Sequence, residues 1–177
     1  MLIDVKKPNR SPSMVQMFAR YKAWATEITF EALSKLPEEE LVKPRQTNFG
    51  NILHTLNHVY VVDDIFRAHL EGQKHHYQAR NTEFSMAFDD LWQKSRSMDA
   101  WYIEQADRFT EPDLTEVIEF EFVGGGQGQM SRTEILLHIV NHGTYHRGFV
   151  SDMVYQIPSR LPANDLPVFL RDVWHKT

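Results

Sequence analysis

Apolar residues recur at helical spacing in four long stretches of this chain, each bounded by proline, glycine or a polar run, and that period points to packed helices. The first stretch opens at Ser11-Pro12, a capping residue followed by the residue best suited to a first helical position. It carries Phe18, Tyr21, Ala25, Ile28, Ala32 and Leu33, so a helix is expected over about 12–36, ended by Pro37. LPEEELVKPRQTNFGN reads as a polar connection. A second helix is expected from near Asn48, with Ile52, Val59, Val62, Ile65 and Phe66 on one face and Glu71, Gly72 and Gln73 at its end. KHHYQARNTEF keeps no period and reads as a loop. Phe84, Phe88, Leu91, Trp92, Met98, Tyr102 and Ala106 then trace a third helix over about 85–109, closed by Pro112.

One segment breaks the helical rule. TEVIEFEFVGGGQGQMS alternates Ile118, Phe120 and Phe122 against Val117, Glu119, Glu121 and Val123 before three glycines, the signature of a short β-hairpin with one apolar face. The glycines do not make a phosphate cradle, since no GK[ST] follows. Ser131 and Glu134 have capping-box spacing and open a fourth helix over about 132–156, stopped before Pro158. Asp165 and Pro167 start a small final helix with Leu166, Phe169, Leu170, Val173 and Trp174 along its apolar edge. The expected fold is all-α: four long helices, a hairpin between the third and fourth, and a small C-terminal helix, in a single domain over 1–177. At 177 residues and 42% hydrophobic content the chain can bury a core without staples. Phe18, Tyr21, Trp24, Phe66 and Trp92 are most simply core.

Composition excludes several chemistries. A formal net charge of -5 argues against nucleic-acid binding as a primary role, and zero cysteines remove disulfides, thiolate ligands and cysteine nucleophiles together. The N-terminus lacks the apolar core of a signal peptide and no run is long enough to span a bilayer, so the expected address is cytoplasmic, with no membrane partner.

The nine histidines are the informative feature. His138, His142 and His146 follow one another at four-residue intervals in the fourth helix. With Ile135 as zero and about 100° per residue, His142 falls near -20° and His146 near +20°, on the stripe of Ile135, Ile139, Phe149 and Met153, while His138 flanks it near -60°. In the second helix His58 shares the face of Val62 and Ile65; His54 lies about 40° aside, and His69 is about 16 Å further along the axis. Unpaired imidazoles are costly inside a protein, and three of them from two facing helices suit a divalent metal such as zinc, nickel or iron with a position left open. A lone buried histidine is more often a hydrogen-bonded core residue, so the inference rests on the convergence of three. His75 and His76 belong to a polar loop and read as solvated. Asp63 and Asp64, at about 140° and 240° from His58, fall off the ligand face. Gly143 stands where an HExxH enzyme carries its base, which disfavours a metal-dependent hydrolase.

FARYKAWATEITFEALSKLPEEEL, NFGNILHTLNHVYVVDDIFRAHLEG and LLHIVNHGTYHRGFVSDMV together resemble the DinB family of the DinB/YfiT-like superfamily, through a YxxWA-type first helix, a TLNH segment and an HxxxHRG segment in that order. The resemblance covers nearly the whole chain. It implies a four-helix bundle with an up-down-down-up course, a homodimer, and a divalent metal held by His58, His142 and His146, the three residues the helical faces select. Phe149 stands where a glutamine often follows HRG. The superfamily's activities include thiol-dependent transferases and an isomerase that use low-molecular-weight thiols, so the implied function is a metal-dependent S-transferase in which a metal lowers the pKa of an external thiol and presents it to a small-molecule electrophile. The alternative is a metal- or ligand-binding stress-response protein without turnover. Asn57 and Asn141, each beside a ligand, are candidates either to orient imidazoles or to bridge helices, and Tyr145 and Arg147, about 100° off the ligand stripe, are expected at the surface or in a dimer contact.

Overall fold

The computed structural model describes residues 13–176, so the Ser11-Pro12 signal lies outside the described residues. Helix α1 (Met14–Leu33) is capped by Ser13, whose hydroxyl accepts from Gln16 N while the Gln16 side chain accepts from Ser13 N. That reciprocal pair satisfies two donors that a helix start otherwise leaves orphaned. Beyond Pro37 the connection read as irregular contains a short helix, α2 (Glu38–Val42): three glutamates occupy its first turn, where the helix dipole favours negative charge, and Leu41 is buried beneath it.

Helix α3 (Ile52–Leu70) starts at Ile52 rather than near Asn48, because the Asn51 side chain accepts from His54 N at 2.7 Å and caps it there. Helix α4 (Phe88–Arg108) also begins later than its apolar pattern suggests; Phe84 is not on it but 80% exposed in the preceding loop. A single turn, α5 (Glu111–Thr115), leads into β1 (Val117–Glu121), which pairs antiparallel with β2 (Gln127–Ser131), Val117 opposite Ser131. The intervening turn uses Gly124, Gly125 and Gly126 at φ of 94°, 99° and 99°, a region other residues seldom enter. The alternation is only partly matched by burial: Phe120 is buried, but Phe122 at the turn is 51% exposed. Helix α6 (Arg132–Tyr155) carries the expected box, Ser131 Oγ accepting from Glu134 N and Glu134 Oε2 accepting from Ser131 N. Helix α7 (Leu166–Phe169) passes into a π-helical turn, Leu170–Trp174, with Phe169 and Trp174 buried.

The described residues are thus mostly helical with one small two-stranded sheet. Helix α1 packs chiefly against α4 and α6, and α3 against the same two; β1 rests on α3 and β2 on α6. One apolar cluster is centred on Phe66, Tyr102, Ile135 and Phe169, and another on Phe30, Leu53, Leu91 and Met153. No described helix is long and apolar enough to cross a membrane.

Charged groups are buried between the helices as well. Lys22 of α1 pairs with Asp63 of α3 at 2.7 Å and with Asp99 of α4. Burial alone would lower the Lys22 pKa, yet the two carboxylates outweigh it and raise it. Burial likewise pushes the Asp63 carboxyl up to about 6, against the pull of Lys22. Arg147 of α6, expected near the surface, is instead buried, donating to Tyr21 Oη at 3.3 Å and Thr144 Oγ1 at 2.9 Å. Helix α6 packs on α1 as well as α3, so it has a second buried face beyond the histidine stripe.

Candidate metal centre

Two capped helices fix the site. The Ser131–Glu134 box sets the phase of α6 so that Ile135, Ile139 and Met153 are fully buried and His142 and His146 lie among them. The Asn51 cap does the same for α3, with His58 inward. His58, His142 and His146 each offer a ring nitrogen within 4.8 Å of the others, so the three could hold a metal ion. His58 Nε2 and His142 Nε2 are 3.1 Å apart. Two nitrogens bound at the usual ~2.0–2.1 Å to one zinc-sized ion stand roughly 3.0–3.4 Å from each other, so the spacing fits.

Protonation fits too. His58 Nδ1 donates to the Arg80 carbonyl at 2.6 Å, leaving Nε2 with its lone pair toward the other rings. Among the described residues, Nδ1 of His142 and Nδ1 of His146 are buried without a hydrogen-bond partner. Burial lowers all three imidazoles: His58 downward, His146 to about 4 and His142 to about 2, the last two helped by the neighbouring rings. A neutral imidazole with a free nitrogen is the form a metal binds.

The surroundings hold residues that periodicity did not select. Phe49 stacks on His58 with centroids 4.6 Å apart and meets His146 edge-on at 4.9 Å. Arg80 supplies the carbonyl behind His58 from the loop at residues 71–87. Asn57 holds that loop: its Nδ2 donates to Asn81 Oδ1 at 2.6 Å and Thr82 Oγ1 at 2.8 Å, and its Oδ1 accepts from Met86 N. Among the described residues Asn57 makes no hydrogen bond to an imidazole, and Asn141 is exposed. The three histidines open onto a cleft of about 870 Å³ between α3, α6 and the hairpin.

The other described histidines are outside this group of three, although the His138 ring lies 5.6 Å from that of His142. His54 Nδ1 pairs with Ser85 Oγ at 3.0 Å. His138 lines the cleft against Phe66, and His69 is buried in a stack with Phe120, 4.6 Å between centroids. His76 is exposed as expected, but His75 is only partly so, its ring 5.5 Å from His69. Asp63 is held by Lys22, and Asp64 accepts from Tyr77 Oη at 2.8 Å. Tyr145 is 62% exposed at the cleft edge.

Comparison with known proteins agrees with the sequence motifs. Protein DinB of Bacillus subtilis (strain 168) is 27% identical over 162 residues, 85% of this chain and 90% of that protein. The crystal structure of a DinB-like protein from Bacillus cereus ATCC 10987 matches with a TM-score of 0.63 at 18% identity, over 82% of this chain and 94% of that one, a likeness of fold. The model of the DinB family matches residues 9–172, a span that contains all four long helices and the three clustered histidines, and the chain belongs to that family.

Proposed function

We propose that the protein holds one divalent metal ion, zinc, nickel or iron, on His58, His142 and His146, and works as a metal-dependent S-transferase for an external low-molecular-weight thiol and a small-molecule substrate. The observation that carries this reading is the convergence of three neutral imidazoles at the base of an open cleft. A bound ion would supply the Lewis acidity that lets a thiol react as its thiolate near neutral pH. The chain's own part is positional: the Arg80 carbonyl keeps the His58 proton on Nδ1, Asn57 holds the loop that brings that carbonyl, and Phe49 shields the rings from one side. With no cysteine in the sequence, the thiol must come from outside.

The same reading takes the four long helices as an up-down-down-up bundle in a single domain that forms a homodimer. Support for the course comes from the contacts of α1 and α3 with both α4 and α6, and from the connection at 71–87, which at up to about 3.3 Å per residue is long enough to return along a helix.

Elemental analysis of untagged protein tests the ligand set. His58→Ala, His142→Ala and His146→Ala should each abolish stoichiometric metal, whereas His54→Ala and His138→Ala should retain it; loss in His138→Ala equal to that in His146→Ala overturns the assignment. Cobalt-loaded protein should gain a thiolate charge-transfer band on addition of a small thiol, and a spectrum indifferent to thiols ends the transferase reading. A second reading, a binding protein without turnover, draws on one observation: among the described residues no carboxylate lines the cleft to serve as a base. Thiol binding without turnover of any thiol and electrophile pair favours it.

A further inference from the structure

The cleft is polarised. The chain carries 24 Asp and Glu, yet among the described residues none lines this cavity, and Arg80 is its one permanently charged lining residue. Arg80 is exposed, and no described residue forms an ion pair with it. Its backbone carbonyl lies 2.6 Å from His58 Nδ1, which anchors the root of this side chain beside the clustered histidines. The wall on the hairpin side is mainly apolar, with the His69 ring stacked on Phe120 and His138 against Phe66: Phe120 is packed edge-on to Phe66 at 5.6 Å, Phe122 edge-on to Phe120 at 5.1 Å, and Met130 lies on the partner strand. Phe122 remains 51% exposed, a large apolar ring at the cleft. A volume of about 870 Å³ is in the range that receives small organic molecules.

We propose that the cleft selects an amphiphilic organic anion, whose charged group sits at the histidine end facing Arg80 and the metal, and whose apolar body lies along Phe120, Phe122 and Met130. This deepens the metal-centre reading and rests on it for the metal's share of the headgroup attraction; the contributions of Arg80 and the hairpin do not depend on it. The charge at one end and the hydrocarbon wall at the other act on separate parts of the ligand, so their effects separate in a homologous series.

The test is calorimetric titration of straight-chain carboxylates from acetate to octanoate, into zinc-loaded protein of measured metal content and into metal-free protein. Affinity should rise about threefold to fourfold per added methylene, and octanoate should bind at least tenfold more tightly than octanol. Arg80→Gln should remove most of the preference for octanoate over octanol. Phe122→Ser combined with Met130→Ser, both at incompletely buried positions, should weaken octanoate at least fivefold and leave acetate unchanged. Equal affinity for acetate and octanoate, octanol binding as tightly as octanoate, or a double variant that leaves the series untouched each overturns the inference. Failure of zinc to load overturns the metal centre alone, and the metal-free series then decides this inference by the same criteria.

Discussion

Asn57 commits both ends of its side-chain amide to the loop that brings the Arg80 carbonyl to His58, so its influence on the metal centre is indirect but specific. Asn57→Ala should raise the metal dissociation constant about 10- to 100-fold, the usual cost of losing support behind a ligand, with the three histidines still present. Competition against a chelator measures it, and an unchanged constant means the loop is held without this residue. Lys22 makes a different point. It is the cation between two buried carboxylates, and Lys22→Met strands both. Loss of one member of a buried ion cluster costs about 3–5 kcal/mol, whereas adding Asp63→Asn and Asp99→Asn to the same chain should return much of it, because no uncompensated charge then remains. Urea unfolding of the single and triple variants reads both values; a triple variant less stable than the single one would show that the cluster contributes by more than charge balance.

At the scale of elements, the hairpin shows how a single missing methyl fixes packing. A Cβ on Gly128 would lie 2.6 Å from Phe120 Cε2, so the Phe120 ring lies across the partner strand only because position 128 has no side chain. Gly128→Ala should cost about 1–3 kcal/mol as Phe120 or the strand shifts, the range for overpacking a filled site. It should also loosen the stack of Phe120 on His69, detectable as a change in the His69 ring resonances. The hairpin, the α6 box and the inward histidines were legible in the sequence because each rests on a local period or a fixed spacing. Phe49 and Arg80 were not, since they sit in segments without a period and reach the site through tertiary folding. Arg147 was misplaced because an angle measured from one stripe says nothing of a second neighbour. The ion cluster does have a sequence signal: Lys22 stands four residues after Phe18 and three before Ala25, inside the apolar stripe of α1, and Asp99 stands three before Tyr102. A charge within an apolar stripe asks for a partner of opposite sign on a facing helix.

For the molecule as a whole, these buried groups set a pH dependence whose sign can be worked out. His69 and His146 are pushed down to about 4 by burial, His142 to about 2, and His58 and His138 also downward, from an ordinary value of 6.5. As pH falls from 6.5 toward 4, the unfolded chain takes protons that the folded metal-free protein refuses, so each histidine contributes a loss of stability across that window. Asp63 works the other way: raised from 3.8 to about 6, it binds its proton in the folded state first, so that its contribution grows as pH falls through 6. Five imidazoles oppose one carboxyl, and the net slope follows the imidazoles. The urea midpoint of metal-free protein should therefore be lower at pH 5 than at pH 7.5. His69→Gln, which removes a buried imidazole that is not among the three clustered histidines, should shrink that difference, and Asp63→Asn should enlarge it by removing the opposing group. Metal adds to the trend, because an ion binds only the unprotonated rings, and zinc should raise the midpoint more at pH 7.5 than at pH 5. A midpoint that stays level or rises on acidification, or a His69→Gln variant with the slope of the parent, would mean that these imidazoles are protonated as readily in the folded protein as in the unfolded chain, which their burial against Phe120, Phe66 and one another contradicts.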